Sequence, residues 1–311
     1  MITLGIDTSN YTTSAAVYGN DTFRMFRKIL DVKMGMRGIR QSEGVFIHNR
    51  ELPEILEKLL CDSEKPSAVG VSTRPRSIDG SYMPVFTVGH GYARAVAAAL
   101  KVPVYEFSHQ DGHIMAGIYS AKCFDLLKRP FISVHLSGGT TEILLSRFNG
   151  YNFDNEIIGG TLDISAGQLI DRVGVAMGLK FPCGKELEYL AQKADRSIKL
   201  PFSIKGSYMN LSGVETKLMR MIDGLDPVIA NTVLEYIRDV LIKTLNNAVI
   251  DTGLDSILIA GGVASNSILR KGITEQVNAD IYFASKELST DNAVGIANLA
   301  YLAHKKEIEP V

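Results

Sequence analysis

Cysteine is scarce in this 311-residue chain: Cys61, Cys123 and Cys183 lie far apart and show no Cys-x-x-Cys spacing. That argues against a disulfide framework and against a cysteine zinc site, and makes a reducing cytoplasm the expected home. No apolar run is long enough to span a bilayer, so no membrane partner is expected. The opening Met1-Ile-Thr-Leu-Gly-Ile-Asp7 lacks a basic stretch leading into an apolar run and cleavage site, and no secretion signal is expected there. Net charge is also nearly missing, at -1. The chain as a whole therefore does not attract nucleic acid, and any RNA contact needs a local basic patch. Arg24, Arg27, Lys28, Lys33, Arg37 and Arg40 are the candidates, although the same run suits a solvated hairpin face.

What is present is an ordinary globular composition, 46% apolar and 22% charged. The length supports two lobes that each bury a core. Period-two patterning predicts strands over Ile2–Thr8, Thr12–Tyr18 and Phe23–Leu30, with Gly19-Asn20-Asp21 as a turn, hence an antiparallel meander. Helical spacing follows over 45–61 and 88–100, with strands at Ser67–Thr73 and Val102–Phe107. A second lobe is expected from Arg129, where Pro130-Phe-Ile-Ser-Val-His-Leu136 runs into Ser137-Gly-Gly-Thr-Thr141 and a returning strand, Glu142–Arg147. Helices are expected over 163–178, 185–193 and 227–252, the last closed by Gly253. Strand Ser256–Ala260, a helix from about Ser265, strand Ile281–Phe283 and a terminal helix from Asp291 complete the pattern. Strands and helices alternate in both halves without a low-complexity linker, which predicts an α/β protein with lobes at 1–128 and 129–311. The terminal helix is free to pack back on the first lobe.

Three loops have the chemistry to hold phosphate. Leu4-Gly-Ile-Asp-Thr-Ser-Asn-Tyr-Thr-Thr13 and Leu136-Ser-Gly-Gly-Thr-Thr-Glu142 set small and hydroxyl residues where the backbone turns sharply and exposes N–H groups. Ala260-Gly-Gly-Val-Ala-Ser-Asn266 joins a strand to a helix N-terminus, where unsatisfied N–H groups favour anions. Separately, His109 and His113 stand four apart, so a helix would project both imidazoles from one face toward one ion. A protease of the His-Glu-x-x-His type is disfavoured. Gln110 stands where the glutamate base belongs, and Gly112 weakens the helix that would hold both ligands.

With these loops in this order, the chain resembles the actin, hexokinase and heat-shock chaperone superfamily, whose two lobes each carry a mixed sheet and clasp a nucleotide. More closely, it resembles the TsaD family, which makes N6-threonylcarbamoyladenosine in tRNA. The resemblance runs through Leu4-Gly-Ile-Asp-Thr-Ser9, His109-Gln-Asp-Gly-His113, Leu136-Ser-Gly-Gly139, Thr161-Leu-Asp-Ile-Ser-Ala-Gly167, Pro182-Cys-Gly184, Ala260-Gly-Gly-Val-Ala-Ser-Asn266 and Thr290-Asp-Asn292. It implies one divalent ion, iron or zinc, on His109, His113 and Asp291. It implies an adenine nucleotide (a carbamoyl-adenylate, AMP or ATP) against His135, Leu136, Ser137, Gly138, Gly139, Asp171, Gly184 and Asn266. Taken alone, Asp291 is also a fitting helix N-cap.

The implied reaction is acyl transfer: a threonylcarbamoyl-adenylate donor gives up its carbamoyl group to adenosine of tRNA, or to another acceptor if the chain is a paralogue. Partner proteins of a tRNA-modification complex, or a homo- or heterodimer, come with that expectation. The family carries an Asp-Glu pair in its first loop, in a place suited to a base. Here the loop reads Asn10-Tyr11-Thr12-Thr13, which leaves Asp7, Asn10 and Thr12 as catalytic candidates. Thr140, Arg74-Pro75-Arg76 and Glu215 also depart from the family pattern. Two other readings are a non-catalytic nucleotide-binding partner subunit and a small-molecule kinase on the same fold, although two histidines suit magnesium poorly.

Overall fold

A computed structural model describes residues 1–9, 11–30, 39–78 and 80–308. The chain forms two compact units, one of Met1–Lys128, Phe148–Asp154 and Asp291–Val311, the other of Arg129–Arg147 and Asn155–Thr290.

The first unit opens with the expected meander: β1 (Thr3–Ser9), β2 (Thr12–Gly19) and β3 (Thr22–Ile29) pair antiparallel in sequence order. Asn20 and Asp21 take φ of 51° and 57° in the turn between β2 and β3, the left-handed geometry that matches strand twist in a tight hairpin. Then come α1 (Gln41–Leu60), β4 (Ala68–Arg74), α2 (Phe86–Leu100), β5 (Val104–Ser108) and α3 (His109–Ala121). The sheet order is β3-β2-β1-β4-β5, with β4 and β5 parallel to β1. Alternation along the strands sends Leu4, Ile6, Val69 and Val71 into an apolar core with Leu52 and Leu59 of α1.

Small residues cover the other face of the sheet. A side chain on Gly5 would collide with the backbone of Ala293 and Ala297, and one on Gly70 with Ile296 and Ala300, so the C-terminal helix (Val294–Ile308) lies directly on β1 and β4. The same helix touches α3 through two glycines. A Cβ on Gly295 would run into the carbonyl of Gly112, and one on Gly112 into Ile296. Gly112 therefore permits a close helix contact, and α3 forms in spite of it.

The second unit contains β6 (Phe131–Leu136), β7 (Thr141–Phe148), β8 (Phe153–Thr161), α4 (Ala166–Ala176), α5 (Gly184–Ala191), β9 (Ile204–Lys205), β10 (Tyr208–Met209), α6 (Ser212–Met219), α7 (Pro227–Thr252), β11 (Ser256–Ala260), α8 (Ser267–Gln276) and β12 (Asp280–Phe283). The sheet order is β12-β11-β6-β7-β8-β10-β9, with β6 antiparallel to β7 and parallel to β11. Five of these strands, β8-β7-β6-β11-β12, repeat the order of the first sheet. α7 is the central helix of a core that also takes Ile132, Val134 and Leu136 from β6. Asp226 caps it, Pro227 opens it, and Gly253 ends it in the left-handed region at φ 67°.

Several boundaries differ from the sequence reading. The helix expected over 163–178 begins at Ala166, because Ser165 and Gln168 form a capping box that fixes its first turn. The terminal helix begins at Val294 rather than Asp291. Strand β8 and helix α6 were not foreseen.

Candidate functional site

In the first unit the site is set by the start of α3. Ser108 accepts the Asp111 amide at 3.1 Å, and the Asp111 carboxylate accepts the Ser108 amide at 2.9 Å. This capping box places His109 and His113 one turn apart. Their Nε2 atoms face each other at 3.0 Å, and Asp291 Oδ1 stands 3.2 Å from the second and 3.6 Å from the first. Donor atoms of His109, His113 and Asp291 all lie within 4.8 Å of one another. Capping and ligation do not compete for Asp291: the side-chain oxygen of Asn292 accepts the Val294 amide at 3.0 Å.

Strand β1 supplies two more contacts. Asp7 Oδ1 lies 3.0 Å from His109 Nδ1 and also accepts a hydrogen bond from the Ser72 hydroxyl. Ser9 donates to Asp291 Oδ2 at 3.0 Å. Burial alone would lower the His109 pKa, but the facing Asp7 and Asp291 carboxylates push it up to about 10. Burial would likewise raise the Asp291 pKa, and the two imidazoles instead hold it well below the usual carboxylate range. The pocket is thus built to hold positive charge. Two imidazole nitrogens and a carboxylate oxygen converging on one point fit a divalent transition ion with open positions better than they fit magnesium.

Of the first-loop candidates, Asp7 is fully buried and in this cluster, Thr12 is buried and paired with Ser9 across the hairpin, and Asn10 lies outside the described residues. Of the basic run, Lys33 and Arg37 are also outside them. Arg24 is tied to the Leu59 carbonyl and Ser63, Lys28 to Glu51, and Arg27 reaches the Asp291 carbonyl at 3.4 Å. Arg40 precedes the first turn of α1.

In the second unit the expected nucleotide residues gather on loops. The Ser137 amide donates to the Thr140 carbonyl at 2.9 Å and the Thr140 amide to Ser137 Oγ at 3.1 Å, which makes a tight turn between β6 and β7. Ser165 Oγ donates to the Gly138 carbonyl at 2.8 Å, and Gly167 packs on the same turn so closely that a Cβ would strike Ser137 and Gly138. Gly138 and Gly139 themselves are exposed, with open space where a Cβ would sit. His135 is half-buried on β6. The Leu136 side chain is fully buried in the core, so only its main chain can meet a ligand. Asp171 of α4 accepts the Cys183 amide at 2.8 Å, fixing the turn before Gly184; burial raises the Asp171 pKa.

One expectation needs correction here. The amides opening α8 are not unsatisfied: Asn266 takes those of Ile268 and Leu269, and Glu188 takes that of Ser267. A short 3-10 turn, Gly262–Ser265, also separates β11 from α8. Glu215 of α6 is paired with Arg172 of α4 at 3.2 Å.

The paired hairpin-and-parallel-strand sheets define an α/β protein of the actin-like ATPase and ROK kinase fold. Among solved structures, a ROK family protein from Streptococcus pneumoniae TIGR4 in complex with sucrose superposes with a TM-score of 0.58 at 13% identity, covering 99% of each chain. Residues 47–298 match the family model TsaD, tRNA N6-adenosine threonylcarbamoyltransferase, and the chain belongs to that family. It is 29% identical to a probable bifunctional tRNA threonylcarbamoyladenosine biosynthesis protein of Thermoplasma volcanium over 99% of this chain, but spans only 57% of that protein. It is also 29% identical to a tRNA N6-adenosine threonylcarbamoyltransferase of Thermus thermophilus, over 100% of this chain and 95% of the relative.

Ser9 and Ser72 were missed by sequence reasoning, because single serines beside a strand carry no signal of what they face. The capping box at Ser108-x-x-Asp111 was visible in the sequence and would have fixed the start of α3.

Proposed function

We propose that this chain is a metal-dependent acyltransferase that moves a threonylcarbamoyl group from a carbamoyl-adenylate to adenosine of tRNA. Family membership supplies the reaction class, and the observation that carries the reading is the convergence of His109, His113 and Asp291 on one point. A divalent ion on these three would act as a Lewis acid toward a carbonyl oxygen. Iron and zinc both suit the donor set.

The chain's own residues do the rest of the positioning. The Ser137–Thr140 turn presents exposed Gly138 and Gly139, where no side chain obstructs approach of a phosphate. Asp171 keeps the Gly184 turn in shape through Cys183. Asp7 is turned toward His109 and fully buried, so it suits a supporting role better than that of a base for a tRNA amine. Work on tRNA would proceed in the cytoplasm, with partner proteins of a tRNA-modification complex; no described helix is long and apolar enough to cross a membrane. A second reading, a nucleotide-binding partner subunit, is favoured by the missing first-loop acidic pair and opposed by the intact donor set.

The test is mass spectrometry with threonylcarbamoyl-adenylate, following AMP release and nucleoside modification with and without unmodified tRNA. Modified tRNA, lost in His113→Ala, is the expected result. AMP release without tRNA modification points to another acceptor. No turnover with partner proteins present, alongside intact nucleotide binding, replaces the reading with the partner-subunit one.

A further inference from the structure

Three side chains bear ligand atoms in the first unit, yet the two contacts that aim them come from one strand. Asp7 and Ser9 are two apart on β1, so the pleat sends both side chains to the same face, the one against α3 and the C-terminal helix. Asp7 Oδ1 meets His109 Nδ1 at 3.0 Å, while Ser9 Oγ donates to Asp291 Oδ2 at 3.0 Å. Each contact engages the atom of its partner that points away from the shared centre. His109 is left with Nε2, and Asp291 with Oδ1, directed at His113.

We propose that Asp7 and Ser9 are positioning residues for the metal site: Asp7 fixes the ring orientation and Nδ1–H tautomer of His109, and Ser9 selects which Asp291 oxygen coordinates. The proposal rests on the metal reading above and assigns β1 a duty apart from the acceptor chemistry of the first loop. A ligating histidine whose other nitrogen donates to a carboxylate is held in one tautomer and made more basic, and such partners typically change metal affinity by about 10- to 100-fold when removed. Asp7 also accepts the Ser72 hydroxyl on the same oxygen, Oδ1. An asparagine can therefore keep both hydrogen bonds through its amide oxygen, whereas alanine keeps neither.

The experiment measures zinc affinity of the full chain by chelator competition for the wild type, His113→Ala, Asp7→Ala, Asp7→Asn and Ser9→Ala. Thermal melts without metal check folding, and the visible spectrum of the cobalt-loaded protein reports ligand geometry. Asp7→Ala is expected to bind zinc about 10- to 100-fold more weakly with a changed cobalt spectrum. Asp7→Asn recovers most of the affinity and the wild-type spectrum, and Ser9→Ala loses less than Asp7→Ala. A merely structural role for Asp7 would shift the melt and leave the spectrum of the loaded protein unchanged, which overturns the proposal. Wild-type binding, lost in His113→Ala and unaltered in Asp7→Ala, overturns it while the metal site stands. A wild type that takes up neither zinc nor iron overturns the metal reading, and the positioning role falls with it.

Discussion

The two units carry centres of opposite construction. In the first, ionisable side chains converge, buried His113 with part-buried His109 and Asp291, aimed by Asp7 and Ser9. In the second, the expected nucleotide residues are mostly loop backbone, with glycines at the tips and hydroxyls and carboxylates used inward to brace the turns. The difference matches what the proposed function asks of each centre. A transition ion takes its preference from ligand type and geometry, which only side chains supply. A phosphate is satisfied by amide N–H groups, which any residue offers if the turn is right. The first centre should thus be sensitive to the identity of side chains, and the second to the shape of the main chain.

The sharpest test sets truncations against each other. Asp291→Ala should weaken zinc binding by more than about 100-fold, since a lost ligand exceeds a lost supporting contact. Ser137→Ala should weaken AMP binding by about fivefold or less, the worth of one hydrogen bond. Chelator competition and calorimetry read the two. Comparable losses would break the contrast.

Added bulk should reverse the ranking within the second unit. Gly261 has φ of 106°, and a Cβ there would strike the Leu136 carbonyl. Gly261→Ala should destabilise by about 1–3 kcal/mol, from left-handed strain and overpacking together. Gly138→Ala meets open space and should change stability by less than about 0.5 kcal/mol. Denaturant melts with AMP titrations separate shape from affinity.

A smaller effect than that of Gly261→Ala concerns the brace at Asp163, whose carboxylate accepts the amides of Ile164, Leu211 and Ser212 and the Ser212 hydroxyl. Burial would raise its pKa, but these donors outweigh it and hold the group well below its ordinary 3.8. A depressed carboxylate stabilises fully above its unfolded pKa and loses that contribution as pH falls through the folded value. Asp163→Ala should cost about 1 kcal/mol near neutral pH, as for a lost helix cap, and the gap to wild type should shrink below about pH 4. Melts across the acid range check the sign.

Much of this was legible in the chain. The meander announced itself by alternation and an Asn-Asp turn, α7 by Asp226, Pro227 and Gly253, and the shared face of His109 and His113 by their spacing of four. Strand β8 was not, because Phe153-Asp-Asn-Glu-Ile-Ile-Gly-Gly-Thr161 is polar and glycine-rich and joins the sheet beside β7 through tertiary context. Asp291 was ambiguous between cap and ligand until Asn292 took the cap. The use of Asp7 could not be read at all, since its partner lies about a hundred residues away.

The glycine contact between α3 and the C-terminal helix also dictates a timetable. On a ribosome, the strands of the first unit and both histidines emerge early. The helix that seals the sheet, and the aspartate just before it, come later, Asp291 lying 178 residues after His113, a delay of about 10–35 s at ordinary elongation rates. Until then Gly5, Gly70 and Gly112 line an open face, and the histidines lack Asp291 beside them. The His109, His113 and Asp291 cluster is therefore among the last features a nascent chain can complete, and a polypeptide that stops short of Asp291 would expose that unsealed face to any other helix in reach.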